Sequence, residues 1–359
     1  MTESADHRPQ HLPLAPGTRV LITGGAGFLG SHLAEALLDR GCRVAVIDNL
    51  STGRFDNIRH LTPNARFSFA IDSITNEAVL DHLIGDCDLI YHLAAVVGVE
   101  LIVKDPVSVL ESNVFGARAV LAAANRYKKP VLITSSSEVY GKSERVPFAE
   151  DDDQVLGPTT RARWSYATSK TAIEHLGLAY HRRLELPVII ARLFNVVGPR
   201  QRARYGMVIP RFVRQALAGE PLTVYGDGRQ RRSFCDVSDA VRALVLLAEH
   251  PQARGRVFNV GATREIAIRD LAGLVLRLVT GEPPSSERIT LVPYDRVYGP
   301  GFEDMQRRLP DVSRIQALTG WRPTVPLEDT LRRVIASLGG PAAGRPIASP
   351  AVAGDGENA

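Results

Sequence analysis

Lysine and cysteine are scarce in this chain of 359 residues. Five lysines stand beside 38 arginines, a skew that an arginine-rich genome explains, although arginine side chains also recognise phosphate and carboxylate groups. The three cysteines are widely spaced and form no CxxC pattern, which argues against structural disulfides and against a metal site and favours a cytoplasmic protein. Because no run of 18 apolar residues occurs, no membrane-spanning segment is predicted.

An excess of charge of one sign is also lacking. The net charge of +4 is small for this length, and no block of five or six like charges occurs, so no nucleic-acid-binding surface is indicated. The composition is that of a globular protein, with 45% hydrophobic and 23% charged residues. Residues 1–17 lack the apolar core of a signal peptide, residues 340–359 are rich in Ala, Gly and Pro, and both segments are predicted to be disordered tails.

Short apolar runs alternate with helix-length amphipathic stretches through the first half of the chain. The predicted strands are Arg19–Thr23, Arg43–Asp48, Phe67–Ala70, Leu89–Leu93, Val131–Ser135 and Val188–Phe194. The predicted helices between them are Leu29–Arg40, Glu77–Ile84, Val107–Tyr127 and Tyr166–Arg183. Because the strands are apolar on both faces, this alternation predicts an α/β fold, a Rossmann-type doubly wound parallel sheet covered by helices.

The pattern becomes less regular from about Asn195. The elements predicted there are helices at Val208–Ala218, Asp239–Glu249, Ile268–Val279 and Leu327–Leu338 and strands at Leu222–Tyr225 and Val257–Val260. We therefore predict a larger domain over residues 18–195 and a smaller α+β part, mainly over residues 196–339.

A glycine-rich turn follows the first predicted strand and opens the first helix. Gly24 allows a tight turn, Gly27 lets the backbone approach a pyrophosphate, and Gly30 permits close helix–strand packing. The start of the helix adds amide donors and the positive end of its dipole. This GxxGxxG spacing after a strand indicates a dinucleotide site, and no GK[ST] follows that would indicate a P-loop.

The second predicted strand ends at Asp48, 18 residues after Gly30. A carboxylate at this position can accept hydrogen bonds from both ribose hydroxyls of an adenosine. Asn49 follows, and no arginine occurs before Arg54, so a 2′-phosphate would be repelled with little compensation. The sequence therefore favours NAD over NADP as the cofactor.

Tyr166 and Lys170 are four residues apart and share one helix face, and Ser136 lies at the end of the fifth predicted strand. A tyrosine with a pKa near 10 is a base at neutral pH only when a cation stabilises its phenolate, as Lys170 and a positive nicotinamide could. Ser136 could hold the substrate oxygen while Tyr166 removes its proton. The same short pattern also fits a surface tyrosine and lysine at a helix start, so spacing alone leaves both interpretations open.

Taken together and in order, these motifs resemble the extended short-chain dehydrogenase/reductases. The residues that carry the resemblance are Gly24–Gly30, Asp48, Asp72, His92 to Ala95, Asn113, Ser136, Tyr166 and Lys170. The continuation resembles the nucleotide-sugar epimerase, decarboxylase and dehydratase branch, on the segments Arg192–Arg200, Pro221–Gly228 and Arg231–Phe234. The match extends over about residues 19–338.

The resemblance implies an NAD-dependent enzyme with a UDP-sugar substrate and without a metal, and a homodimer packed through the helices at Val107–Tyr127 and Tyr166–Arg183. Its implied cofactor-binding residues are Gly24, Gly27, Phe28, Leu29, Gly30, Asp48, Asn49, Asp72, Ser73, Leu93, Ala94, Ala95, Asn113, Tyr166 and Lys170. Its implied substrate-binding residues include Ser136, Ser137, Glu138, Tyr166, Asn195, Arg232 and Arg308, with Val208 and Tyr225 at the nucleobase. Of these, Asn195, Arg232 and Arg308 are expected to hold the diphosphate.

The resemblance implies that the enzyme first oxidises C4 of the sugar. Which reaction follows that oxidation depends on a few side chains. Ser137 stands where a dehydratase usually has an aspartate, which disfavours dehydration. Ser137-Glu138-Val139-Tyr140-Gly141 and the Arg163-Trp164-Ser165-Tyr166 run are similar to the glucuronate decarboxylases. The Gly198–Arg204 segment resembles instead the substrate loop of 4-epimerases.

Arg202 and Arg204 in that segment could hold the carboxylate of an oxidised hexuronate in an orientation that prevents loss of carbon dioxide. The same arginines could also be solvated or bind only phosphate. On this basis 4-epimerisation of UDP-glucuronate ranks first, its decarboxylation to UDP-xylose second, and 4-epimerisation of UDP-glucose third. A non-catalytic NAD-binding scaffold ranks last, because Ser136, Tyr166 and Lys170 are all present.

Overall fold

The computed structural model describes residues 14–203, 206–283, 286–299 and 302–340. Its centre is a parallel sheet of seven strands, numbered along the chain. The strands are β1 (Arg19–Thr23), β2 (Arg43–Ile47), β3 (Phe67–Ala70), β4 (Leu89–His92), β5 (Val131–Ser136), β6 (Val188–Leu193) and β11 (Arg256–Val260). Their spatial order is β11-β6-β5-β4-β1-β2-β3, which is doubly wound about β1 and β4, and the predicted fold class is thus confirmed.

Helices cover both faces of this sheet. The helices are α1 (Phe28–Asp39), α2 (Glu77–Asp86), α3 (Val99–Lys104), α4 (Pro106–Arg126), α5 (Ser165–Leu184), α6 (Val208–Leu217), α7 (Val237–Glu249), α8 (Ile268–Thr280), α9 (Tyr294–Tyr298), α10 (Ser313–Thr319) and α11 (Leu327–Ser337). One core lies between the sheet and α1 with α7, and another lies between the sheet and α2, α4 and α5. Successive side chains of β1 point to opposite faces of the sheet, so Val20 and Ile22 lie in the first core and Leu21 lies in the second.

The smaller part is built from short strands and a separate core. The remaining strands are β7 (Val196–Val197), β8 (Leu222–Tyr225), β9 (Arg231–Ser233), β10 (Cys235–Asp236), β12 (Glu265–Ala267), β13 (Ile289–Val292) and β14 (Arg307–Arg308). They pair as β7 with β10, β8 with β13, and β9 with β12 and β14. Helices α6, α8 and α11 pack around the third core.

The larger domain does not end at residue 195, the boundary predicted from the sequence, because later segments also belong to it. The strand predicted at Val257–Val260 joins the central sheet beside β6, and Phe258 and Val260 are buried in the same core as α1. Helix α7 also packs against α1. An apolar run predicts a strand but not its partner, so two segments beyond residue 196 complete the larger domain.

The inner ends of both predicted tails make hydrogen bonds within the fold. The backbone amide of Gly17 donates to Gly41 O at 2.9 Å, and that of Leu14 donates to a carboxylate oxygen of Glu249 at 3.0 Å. At the other end, the Gly340 amide donates to Ile335 O at 3.0 Å. The rest of both predicted tails, residues 1–13 and 341–359, lies outside the described residues.

Candidate active site

A cavity of about 1020 Å³ opens at the carboxyl ends of the central strands and extends to the smaller part. It brings together predicted residues that are far apart in the sequence. Those that line it are Gly24, Gly27, Phe28, Leu29, Gly30, Asp48, Asn49, Asp72, Ser73, Leu93, Ala94, Ala95, Ser136, Ser137, Glu138, Tyr166, Lys170, Asn195, Arg202, Val208, Tyr225, Arg232 and Arg308. Of the other two predicted residues, Arg204 lies outside the described residues, and Asn113 lies behind the cavity wall.

Asn113 is buried and makes its hydrogen bonds within the protein. Its amide oxygen accepts from Val96 N at 2.7 Å, and its amide nitrogen donates to Val96 O at 3.3 Å and to Ser169 Oγ at 3.2 Å. It therefore ties the loop after β4 to helix α5. These bonds give Asn113 a structural role behind the cavity wall, and its contact with the cofactor stays a prediction.

The glycine turn between β1 and α1 has the geometry of a dinucleotide cradle. Gly24 has a φ of +71°, and a Cβ there would lie 2.8 Å from the backbone of Ala94. A Cβ on Gly30 would lie 2.4 Å from Gly24 O, so the helix approaches the turn too closely for any side chain. Because these glycines have no side chain, the backbone amides at the base of the cavity are accessible, which fits a pyrophosphate at the start of α1.

Asp48 lies beside this turn at the end of β2. One carboxylate oxygen accepts from Ala26 N at 3.0 Å and the other from Leu50 N at 2.8 Å. Burial raises the pKa of Asp48, and these backbone amides oppose the effect. Since Asp48 also lines the cavity, the residues present fit the adenosine end of NAD.

Gly24→Ala is expected to weaken NAD binding at least tenfold, a loss of about 1.4 kcal/mol. The added Cβ meets the Ala94 backbone and forces the turn away from the pyrophosphate. Gly320→Ala is the matched control, because Gly320 has the same φ of +71° with open space around it. The control shares the backbone cost of about 1–2 kcal/mol and should keep the NAD affinity. Calorimetric titration with NAD checks both variants, and equal affinities would show that the cradle is not where NAD binds.

Tyr166, Lys170 and Ser136 meet at the floor of the cavity. Lys170 Nζ donates to Thr134 O at 2.9 Å and lies 5.9 Å from the centre of the Tyr166 ring. Burial lowers the pKa of Lys170 to about 8, with the Glu174 carboxylate acting in the opposite direction. Burial and then the Glu138 carboxylate raise the pKa of Tyr166, whereas a hydrogen bond with Ser136 lowers it.

A buried cluster of five charged side chains lies next to Tyr166. We call it the Glu138 cluster; its members are Glu138, Arg163, Arg232, Asp304 and Arg308. Arg163 donates to both carboxylate oxygens of Glu138, at 2.6 and 3.1 Å, and Arg308 Nη2 donates to one of them at 2.5 Å. Burial alone would raise the pKa of Glu138, but Arg163 and Arg308 outweigh it and hold that pKa well below its ordinary value. Glu138 is therefore ionised at neutral pH.

Asp304 joins the remaining arginine to this cluster. Its carboxylate accepts from Arg232 Nη2 at 2.9 Å and from Arg163 Nη2 at 3.4 Å. Arg308 Nη1 also donates to Asn195 Oδ1 at 3.3 Å. Arg232, Arg308 and Asn195, predicted to hold a diphosphate, thus lie together, but both arginines already have a carboxylate partner.

Arg202 lies in another part of the cavity wall. Its Nη1 atom donates to Thr52 O at 3.5 Å, in the loop that follows β2 and Asp48. Of the predicted pair Arg202 and Arg204, only Arg202 belongs to the described residues. Its hydrogen bond is made to the loop after β2.

Aromatic side chains form the far wall of the cavity. The Arg211 guanidinium lies 3.7 Å from the centre of the Tyr225 ring, and Tyr298 meets the same ring edge-on at 5.9 Å. Tyr298 in turn stacks on Phe302 at 4.3 Å. Val208, which is predicted to lie at the nucleobase, begins α6 and lines the same cavity.

Several residues of the site were not predicted as site residues. Arg163 was noted only as part of a sequence run, although its position three residues before Tyr166 is a usable signal. Asp304 carried no local signal, because its partner Arg163 is 141 residues away. Arg211 was not singled out, although its partner Thr223 is only 12 residues away. Ser137 was predicted, and its buried Oγ has no hydrogen-bond partner among the described residues.

A doubly wound sheet with a glycine cradle, Asp48 and a Ser–Tyr–Lys set defines an extended short-chain dehydrogenase/reductase. The chain belongs to the NAD dependent epimerase/dehydratase family, whose family model matches residues 20–261. The predicted family and the NAD cofactor are thereby confirmed.

Curated relatives cover most of the chain. A UDP-N-acetyl-alpha-D-glucosaminuronate decarboxylase of Bacillus cytotoxicus is 42% identical over 318 residues, which are 88% of this chain and 96% of the relative. UDP-glucuronic acid decarboxylase 1 of Arabidopsis thaliana is 36% identical over 320 residues, covering 89% of this chain and 69% of the relative.

Among solved structures, UDP-glucuronic acid 4-epimerase of Bacillus cereus, in complex with UDP-glucuronic acid and NAD, has a TM-score of 0.80 at 31% identity. The match covers 89% of this chain and 99% of that structure. The relatives thus include both decarboxylases and a 4-epimerase, so family membership alone does not decide the reaction.

Proposed function

We propose that this enzyme oxidises C4 of a UDP-hexuronate and releases the C6 carboxylate as carbon dioxide. The sequence analysis ranked this reaction second, after 4-epimerisation. The observation that carries the proposal is the buried carboxylate of Glu138, which Arg163 and Arg308 hold in the same cavity as Tyr166. The curated decarboxylases at 42% and 36% identity support it.

In this proposal the chain first removes a proton from the sugar 4-hydroxyl. Tyr166 accepts that proton, Ser136 holds the oxygen, and the Lys170 ammonium stabilises the phenolate. Bound NAD supplies the hydride acceptor for C4 and a positive ring that favours the phenolate. Because burial and Glu138 raise the pKa of Tyr166, the phenolate depends on the positive charges of Lys170 and of bound NAD to form at neutral pH.

The product of that oxidation is a β-keto acid, which loses carbon dioxide when the C5–C6 bond lies parallel to the carbonyl π system. The C5–C6 bond breaks, its electron pair becomes the C4–C5 enolate, and a proton then adds to C5 to give a 4-keto pentose. The carboxylate loses its negative charge in this step. A buried anion beside the substrate carboxylate therefore favours loss of carbon dioxide, whereas a guanidinium that binds this carboxylate opposes it.

The substrate class is inferred from the curated relatives, since the names of both specify a UDP-hexuronate. The three arginines and two carboxylates of the Glu138 cluster leave one positive charge in a partly buried site, which suits an anionic UDP-sugar. The substrate class is therefore a UDP-hexuronate, with or without the 2-acetamido group that the name of the Bacillus cytotoxicus relative specifies.

UDP-glucuronate 4-epimerisation is the second candidate, favoured by the Bacillus cereus structure at 31% identity. That reaction needs a carboxylate held so that carbon dioxide is not lost. Arg202, the described member of the predicted clamp, donates instead to Thr52 O. The three arginines of the Glu138 cluster already have carboxylate partners, which weakens the support for a clamp beside Tyr166.

The remaining predicted residues keep their roles as parts of this proposal. The glycine cradle and Asp48 hold the pyrophosphate and ribose of NAD, and Asp72 and Ser73 line the adenine end. Val208 and Tyr225 contact the nucleobase, and Asn195 with Arg232 lies at the diphosphate.

The proposal is tested by incubating the purified enzyme with UDP-glucuronate and, separately, with UDP-N-acetylglucosaminuronate. Proton NMR identifies the sugar products, and released carbon dioxide is measured directly. The expected products are carbon dioxide and a UDP-pentose or its 4-keto precursor. Formation of UDP-galacturonate without carbon dioxide would establish the 4-epimerase instead. Absence of any product or of transient NADH with both sugars would revive the scaffold interpretation.

A homodimer through α4 and α5 is also part of this proposal. Helix α4 is, by length and apolar composition, the one helix of the described residues that could cross a membrane, but one of its faces packs in the core. Its other face exposes 63% of Val107 and 58% of Phe115, with Leu110 between them. A second copy of the chain would cover these side chains. Sedimentation equilibrium should give twice the mass of one chain, and a monomer would contradict the proposal.

A further inference from the structure

A buried ion pair follows Tyr166 and Lys170 on helix α5. Glu174 is four residues beyond Lys170, so all three side chains share one helix face. Arg192 on β6 donates to the two carboxylate oxygens of Glu174 at 2.9 and 2.7 Å. Both side chains are at most 6% exposed. A buried pair of this kind is weak evidence for stability, so its position next to the site needs another explanation.

The pair is bonded to each segment that carries a catalytic group. Ser135 Oγ, one residue before Ser136, donates to Glu174 at 2.5 Å. Arg192 Nη1 donates at 2.9 Å to the Tyr140 hydroxyl, at the end of the turn that contains Glu138, and at 2.9 Å to Glu150 O. Glu174 thus has a fixed position relative to strand β5, helix α5 and this turn.

The charged and titratable groups around Lys170 come from three elements. Tyr166 and Glu174 lie on α5, His92 lies on β4, and Arg192 lies on β6 behind Glu174. Burial, and then the charge of Lys170, lower the pKa of His92 to about 3, so His92 is neutral. Lys170 also donates to the carbonyl oxygen of Thr134 on β5, which carries no net charge. The carboxylate of Glu174 is therefore placed to compensate the buried ammonium.

We propose that Glu174 is a positioning residue of the active site: its carboxylate, held by Arg192 and Ser135, keeps the Lys170 ammonium charged beside Tyr166. The inference rests on the proposed role of Lys170 and not on which sugar is the substrate. Lys170 is cationic below its pKa, which burial lowers to about 8 while Glu174 opposes the shift. Removing the carboxylate lowers this pKa further, so activity should be lost at a lower pH.

Glu174→Gln tests this, because glutamine can still accept from Ser135 but carries no charge. The alkaline limb of the pH profile should move down by about one unit, which is a tenfold loss of activity on that limb. Glu150→Gln is the matched control, a buried carboxylate that accepts from Asn259 N at 2.8 Å and does not face Lys170. Its alkaline limb should stay where it is in the unaltered enzyme.

A second readout does not depend on the substrate. In the NAD complex, the pH titration of the Tyr166 phenol is measured by ultraviolet absorbance as the difference from Tyr166→Phe. The phenol of Glu174→Gln should ionise at a higher pH, because the neighbouring ammonium is lost earlier. A failed sugar assignment would leave this titration unchanged, so the two proposals fail separately.

The double variant Glu174→Gln/Arg192→Met covers the case in which the single variant does not fold. It removes both charges of the pair, so no buried guanidinium is left without its carboxylate. Its alkaline limb should also move down, because Lys170 has lost the same carboxylate. A lower rate at every pH with an unshifted limb, in either variant, would assign the pair a purely structural role and overturn the proposal.

Discussion

Tyr166→Phe is expected to reduce the rate of substrate oxidation about 10³-fold while NAD binding is retained. The change removes only the phenolic oxygen, which is the proposed acceptor of the proton from the sugar 4-hydroxyl. The ring stays in the apolar contact with Ile102 and Val109, and Lys170 Nζ keeps its bond to Thr134 O. The NADH absorbance in a single turnover measures oxidation, and calorimetric titration measures the NAD affinity.

Tyr180→Phe is the matched control for this change. Tyr180 lies on the same helix α5, packs against the core beneath the sheet, and is absent from the cavity wall. Its variant should oxidise the substrate at the rate of the unaltered enzyme. If Tyr166→Phe retained more than a tenth of that rate, another group would have to be the base.

Much of the larger domain follows from local sequence pattern. Strands β1 to β6 were predicted within about two residues, because each is an apolar run between helices and both faces of the sheet are covered. The glycine cradle and the Tyr166–Lys170 face were predictable for the same reason, since each depends on spacing within one segment. The place of β11 in the sheet was not predictable, because the pairing of Arg256–Val260 with β6 is a long-range contact.

The charges of the site were harder to predict than its backbone. Glu138 and Arg308 are 170 residues apart, and Arg163 and Asp304 are 141 apart, so no local pattern indicates these pairs. The contact of Arg308 with Glu138 was therefore not predicted, and its expected contact with a diphosphate stays a prediction. The contact of Arg202 with Thr52 was likewise not predicted, because these residues are 150 positions apart, and its expected contact with a substrate carboxylate stays a prediction.

Glu138→Gln is expected to slow carbon dioxide release about 10²-fold and to lower the KM for the UDP-hexuronate. Glutamine keeps the shape of the side chain but removes the anion, so Arg163 and Arg308 can grip the substrate carboxylate. That grip is lost when the carboxylate leaves as neutral carbon dioxide, and the step is therefore opposed. Detection of released carbon dioxide, together with proton NMR of the sugar, measures the effect.

Oxidation at C4 should respond to Glu138→Gln in the opposite direction. The Glu138 carboxylate raises the pKa of Tyr166, so its removal lowers that pKa, and the phenolate forms at a lower pH. The acid limb of the oxidation rate should move down while carbon dioxide release falls, and the 4-keto hexuronate or the 4-epimer should accumulate. An unaltered rate of carbon dioxide release would show that Glu138 does not act on the leaving carboxylate.

Glu265→Gln controls for the loss of a buried carboxylate between arginines. Glu265 is 8% exposed and accepts from Arg307 Nη2 at 2.6 Å, with Arg231 Nε at 3.8 Å, and it does not line the cavity. Its variant should change neither rate, because the lost carboxylate lies outside the cavity. Since only Glu138 faces Tyr166, a change in the ratio of carbon dioxide to 4-epimer in Glu138→Gln but not in Glu265→Gln would tie the choice of reaction to this one charge.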